Sequence, residues 1–180
     1  MTKKSGYESQ KGFTLIELLL VIALLAISIG VTNDILISLI RSNNKTQVMN
    51  EIEQQSNFVS LKVEKELRNA RAINNPVSGS SGTILSFSTR NGDTIEYEVL
   101  SGVIYRKLNS GNAIAVTSSA SPGGVIVSCS NGVDSCFSTF GVNPQIVSIN
   151  MDFTQAQPSA GRSYTGKVGI KSTIVVRNTY

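Results

Sequence analysis

The chain contains no histidine and no tryptophan, only two cysteines and only four prolines in 180 residues. Without histidine it lacks the usual general base near neutral pH and the commonest ligand of transition metals, which argues against a conventional hydrolase or metalloenzyme. No nucleophile stands beside a base, and no pair of acids stands in a catalytic context, so no catalytic residue, metal ligand or cofactor is assigned. Charge is sparse too: 16 basic against 12 acidic residues give +4. Lys3, Lys4 and Lys11 all precede the apolar run, so the remainder is closer to neutral and carries no strong polyanion signal. The length suits one domain, or a long helix with a small domain, because a domain takes roughly 100–150 residues.

What the chain has is a long apolar run. Between Phe13 and Val31 the polar side chains are Thr14, Glu17 and Ser28. As a helix this stretch measures about 28 Å at ~1.5 Å per residue, close to the thickness of a bilayer core. The lysines before it hold the N terminus in the cytoplasm and send everything after Val31 outside. A cleaved secretory signal, cut after a small residue such as Ala26, is the plainer alternative. It fits poorly, because the run is long, carries an acid and resumes as Ile35–Ile40. The junction that looks processed precedes the run, at Gly12-Phe13.

KGFTLIELLLVIALLAISIG resembles the class III signal of type IV pilins and pseudopilins: a basic leader ending in glycine, a phenylalanine, then an apolar helix with glutamate five residues after the glycine. The resemblance implies that an inner-membrane prepilin peptidase cuts between Gly12 and Phe13 and methylates the new amine of Phe13. It also implies that Glu17 serves assembly. An ionisable group inside a membrane helix costs about 2.5–3.5 kcal/mol on insertion scales and marks a function with a partner. In the family that partner is the N-terminal amine of an adjacent subunit, and the filament grows on an inner-membrane assembly platform. A tolerated acid near the headgroups is the alternative. Such a subunit begins as a single-pass inner-membrane protein, leader cytoplasmic and head outside, and ends in a periplasmic or cell-surface filament. Many pilins carry a helix-breaking proline further along; here the matching place reads Gly30-Val31-Thr32-Asn33-Asp34. Glycine costs ~1 kcal/mol against alanine, so Gly30, Asn33 and Asp34 mark a soft spot.

The helical pattern continues past the membrane. Ile52, Val59, Val63, Leu67 and Ala70 recur at three-, four- or seven-residue spacing, one stripe of an amphipathic helix. The helix is expected to stop at Asn74-Asn75-Pro76. Four segments follow: 1–12 as leader, 13–34 as membrane and assembly helix, 35–75 as its amphipathic continuation, and 76–180 as a β-rich exported head. Within the head, 83–89 and 94–100 flank Arg90-Asn91-Gly92-Asp93 as a hairpin, and VIYRKLN extends it. AIAVTS, VIVSCS, QIVSINMDF and KVGIKSTIVVRN are further strands. The fold class is α+β, a long N-terminal helix packed on an antiparallel sheet.

Cys129 and Cys136 lie close together in a domain expected outside the cell, where a disulfide is the default and a free buried pair the alternative. Gly161–Val168, GRSYTGKV, nearly matches a phosphate-binding loop, but Val168 replaces the magnesium-holding hydroxyl and no helix pattern follows, so it reads as a hairpin connection. Arg162, Tyr164, Lys167, Lys171 and Arg177 form a late cationic region, either a solvated β face or a DNA-contacting surface of an uptake filament. LKVEKELRNARAI and STIVVRN resemble the late helix and last strand of J-type pseudopilins and W-type minor pilins. With the missing late cysteine pair of major pilins, this points to a minor, initiating or tip subunit. The alternatives are a DNA-uptake minor pilin and a single-pass anchored extracellular binding protein that never polymerises.

Overall fold

Helix α1 runs Leu15–Arg68 without a proline and with Gly30 as its one glycine. In this computed structural model, residues 12–120, 124–130, 135–156 and 166–176 are described. They fall into two compact units that divide after Asn44. In the first unit α1 is exposed, and from Leu18 to Val31 it is apolar all round save for Ser28: Leu19, Ile22 and Leu25 have no protein packed over them. A helix of that composition belongs in a bilayer or against other helices.

The second unit starts at Lys45 and holds the rest of α1 with ten strands among the described residues. One sheet contains β1 (Ala70–Asn75), β3 (Ile84–Thr89), β4 (Thr94–Leu100), β5 (Val103–Leu108) and β6 (Ile114–Ala115), in that order. The other contains β10 (Lys167–Val176), β9 (Gln145–Gln155), β8 (Phe137–Phe140) and β2 (Ser81–Gly82), with β7 (Val125–Cys129) also pairing β9. All the pairings are antiparallel. Ser101 and Gly102, with φ of 51° and 78°, close the β4–β5 hairpin, as a two-residue turn of the primed type requires.

The expected single sheet is therefore two, and they share a core with the helix. Ile52, Val59, Val63 and Leu67 of α1 join Leu85 and Phe87 of β3, Tyr97 of β4, and Val147, Ile149, Met151 and Phe153 of β9 in one buried cluster. Each such fully buried side chain contributes about 1.5–3 kcal/mol. Ser56, which looks like an interruption of the stripe, belongs to it: it is buried, and its hydroxyl donates to the Glu53 carbonyl of its own helix.

The helix also ends earlier than the proline suggests. It stops at Arg68, Asn69 N–H donates to the Glu66 carbonyl at 3.1 Å to tighten the last turn, and Ala70–Asn75 is strand rather than helix. Register shifts in the β1–β3 pairing leave Ala70 and Ile73 both buried, three residues apart. Bulged pairing thus imitates the helical period. The remaining expected strands form, with AIAVTS reduced to the two residues of β6, while β2 and β8 were not anticipated.

Candidate functional site

The first turn of α1 is built as a capping box, T-x-x-E. Thr14 sits just before the helix, and its N–H and hydroxyl both donate to Glu17 Oε2 at 2.9 Å. In return Glu17 N–H reaches Thr14 Oγ1 at 3.4 Å, and Leu18 N–H closes the first helical bond to the Thr14 carbonyl. The Glu17 carboxylate therefore satisfies backbone and side-chain donors that an apolar surround would leave orphaned. The signal for this role stood in the sequence at three-residue spacing; sequence reasoning read only the intermolecular role. Gly12 and Phe13 precede the box, and the Phe13 side chain is 87% exposed.

Gly30, Asn33 and Asp34 all lie inside α1 and are exposed. Close by, the Ser28 and Thr32 hydroxyls donate to the carbonyls of Leu24 and Ser28, four residues back, a pattern that weakens and bends helices slightly. Cys129 and Cys136 are bridged, joining the end of β7 to the start of β8 on one flank of β9. Of the near phosphate loop, residues 161–165 lie outside the described residues, and Lys167 opens strand β10 rather than a helix. Lys167 pairs with Asp152 at 3.1 Å and Lys171 is exposed; Arg162, Tyr164 and Arg177 lie outside the described residues.

A polar cluster that sequence reasoning missed joins α1 to the first sheet. Glu66 accepts a 2.7 Å hydrogen bond from the buried Tyr97 hydroxyl and bonds at 3.1 Å from Arg106 Nε to both of its oxygens. Tyr97 and Arg106 are cross-strand partners on β4 and β5, so one helical carboxylate gathers two strands. Burial, then the hydrogen bond and charge of Glu66, push the Tyr97 phenol above its ordinary value of 10.0. Burial opposes the Arg106 charge, but Glu66 more than offsets it and holds the guanidinium above its usual value. Nothing in the spacing of the three residues announces this cluster. It needs the β4–β5 register to exist.

Comparison with known proteins gives one finding, placed on the same N-terminal segment. Residues 9–32 match the family model described as the prokaryotic N-terminal methylation motif. No curated protein and no solved structure matches the chain.

Proposed function

From an N terminus that carries the methylation motif, which supports the type IV pilin and pseudopilin family, we propose that this chain is a filament subunit made as an inner-membrane prepilin. The motif implies processing by prepilin peptidase and assembly with other pilins. Cleavage falls between Gly12 and Phe13, the leader 1–12 stays cytoplasmic, and Phe13 receives the methyl group. The segment 13–34 anchors the chain until it enters the filament, and the head faces outward. The subunit is a minor one, placed at initiation or at the tip.

The observation that carries the reading is the coincidence of the motif with an exposed, all-apolar helix whose first turn holds a carboxylate. Glu17 has two tasks in sequence. In the bilayer it caps its own helix; during assembly it neutralises the new Phe13 amine of a neighbour. A pair in so dry a setting gives register more surely than net stability. Mass spectrometry of the mature N terminus is the test. A methylated Phe13 is expected, and an unprocessed Met1 refutes the reading. Glu17→Ala is expected to be cleaved normally and to be lost from sheared filaments; normal incorporation refutes the assembly role.

A further inference from the structure

Among the described residues, the sheet edges of the second unit are blunted or covered in all places but one. β2 and β6 are two residues long each. β1 is bulged in two places, and its Ile73 N–H is taken by the Gln145 side chain at 2.9 Å. β7 turns the N–H groups of Val125 and Val127 to the carbonyls of Ser118 and Gly102, both at 2.8 Å. Short strands, bulges and covering segments are the devices by which proteins keep sheet edges from pairing with other chains. β10 has none of them. It pairs β9 over ten consecutive residues with no register shift, holds no proline and ends its sheet.

The direction in which β10 turns its backbone follows from one bond. Gln155 N–H donates to the Gly166 carbonyl at 3.3 Å, one step beyond the Thr154–Lys167 pair. Bonded and non-bonded pairs alternate along an antiparallel ladder, so Val168, Ile170, Ser172, Ile174 and Val176 bond to β9, while Lys167, Gly169, Lys171, Thr173 and Val175 turn N–H and C=O away from it. The far side of β9 agrees: Asn150, opposite Lys171, gives its N–H to the Cys136 carbonyl there. None of the outward-turned residues has a backbone partner among the described residues, and all are exposed. The side chains along this edge are unevenly covered. Toward the core Ile174 and Val176 are buried, but Val168 and Ile170 are only partly so. On the outer face Lys167 is held by Asp152, whereas Lys171 makes no ion pair among the described residues.

An open row of alternating backbone donors and acceptors is matched by another extended backbone. The flanking chemistry sets its side chains: apolar ones on the core side over Val168 and Ile170, and acids on the outer side over Lys171. A second β10 does not fit that description, because the strand holds Lys167 and Lys171 and no acid. We propose that the free edge of β10 receives, as an added strand, an extended segment of a different protein in which apolar residues alternate with acids. The backbone supplies the hold, and the alternation supplies the choice of partner. This interaction belongs to the head and does not depend on the filament reading.

The test uses the full chain in detergent and a capped, fluorescein-labelled Val-Glu-Val-Glu-Val-Glu-Val peptide as the probe. Hydrogen exchange read residue by residue should show the amides of Gly169, Lys171, Thr173 and Val175 exchanging roughly tenfold faster than those of Ile170, Ser172 and Ile174, and saturating peptide should erase the difference. Thr173→Pro removes one outward N–H without touching the ladder to β9, so peptide binding should weaken roughly tenfold while the head melts as in the parent. Lys171→Glu should weaken binding roughly fivefold, and this variant should prefer the peptide in which lysine replaces glutamate. Outward amides that are already slow in the free chain place one of its own segments on the edge, and slowing that grows with protein concentration places a second copy there; either overturns the proposal. So does a peptide that fails to bind at about 1 mM, and so does binding left unchanged by Lys171→Glu or by a normally melting Thr173→Pro. Should Thr173→Pro lower the melting of the head, the charge exchange at Lys171 decides.

Discussion

Tyr97→Phe tests whether Glu66 is the fastening between helix and sheet. The substitution removes one oxygen from a fully buried ring that stacks on Phe87 at 6.4 Å, so packing is unchanged and the lost term is the 2.7 Å bond to Glu66. A hydrogen bond to a charged group contributes about 1.5–3 kcal/mol. Glu66 keeps both contacts from Arg106, so no buried charge is orphaned and the loss should stay inside that range. For a unit of this size it corresponds to a fall in melting temperature of roughly 6–12 °C. The alkaline limb gives a second readout. The phenol pKa is raised in the folded state, so the bond's full contribution is present below pH ~10. As pH rises past that value the unfolded chain releases a proton the folded one retains, and stability falls. Tyr97→Phe should lack that part of the fall. Melts of the full chain in detergent, followed by near-ultraviolet dichroism from pH 7 to 11, measure both. A variant within about 0.5 kcal/mol of the parent, or one with the same alkaline slope, refutes the clamp.

Thr139 is fully buried and its hydroxyl has no partner among the described residues, so Thr139→Val should raise stability by about 1 kcal/mol, and a lower melting temperature would show that the hydroxyl has a partner. Ser56→Leu should cost about 1–3 kcal/mol by overfilling the helix–sheet contact, whereas Ser56→Ala, losing a bond only to its own helix, should stay within about 1 kcal/mol; equal effects in denaturant melts would contradict its placement in the core stripe. Cys129→Ser/Cys136→Ser should lose about 2–3 kcal/mol, and the parent should show no reactive thiol before reduction; two alkylated cysteines in unreduced protein would rule out the bridge. Thr14→Ala should weaken the helix start by about 1 kcal/mol, visible as faster hydrogen exchange at Leu15–Glu17 in vesicles, and unchanged exchange would remove the capping role.

Long-period features were legible and short or bulged ones were not. The apolar run, the stripe Ile52–Leu67 and the alternation Val147–Phe153 each repeat one spacing often enough to declare their partner surface. Strand β1 does not. Its bulges bury Ala70 and Ile73 at a helical spacing, and the preceding stripe runs into them without a break, so the true end at Arg68 is hidden while Pro76 offers a false one. β8 spans Phe137–Phe140 directly after the disulfide, too short for alternation to register. The Glu66 cluster was unreadable for a different reason. It depends on which β residues face α1, and that is decided by sheet register rather than by any local pattern.

Under the proposed assembly role, the capping box lets Glu17 serve two partners without a costly exchange. A carboxylate has about four lone-pair sites on its two oxygens. Both bonds from Thr14 fall on Oε2, which leaves Oε1 with no donor from its own turn among the described residues. An arriving ammonium group can therefore bind at Oε1 while the box stays closed. The helix start then need not fray in the least polar part of the journey, where an orphaned backbone donor costs several kcal/mol. Oε1 is also positioned by the box, because Thr14 removes the freedom of a three-torsion side chain before the partner arrives; less of the contact energy is then spent on ordering it. On this argument Thr14→Ser, which keeps both donors, should assemble like the parent, and Thr14→Val, which keeps the shape and the backbone donor but loses the hydroxyl, should assemble less well while being cleaved and methylated normally. Sheared-filament content of the two variants, compared side by side, decides it: equal incorporation of Val and Ser would show that the box plays no part in presenting Glu17.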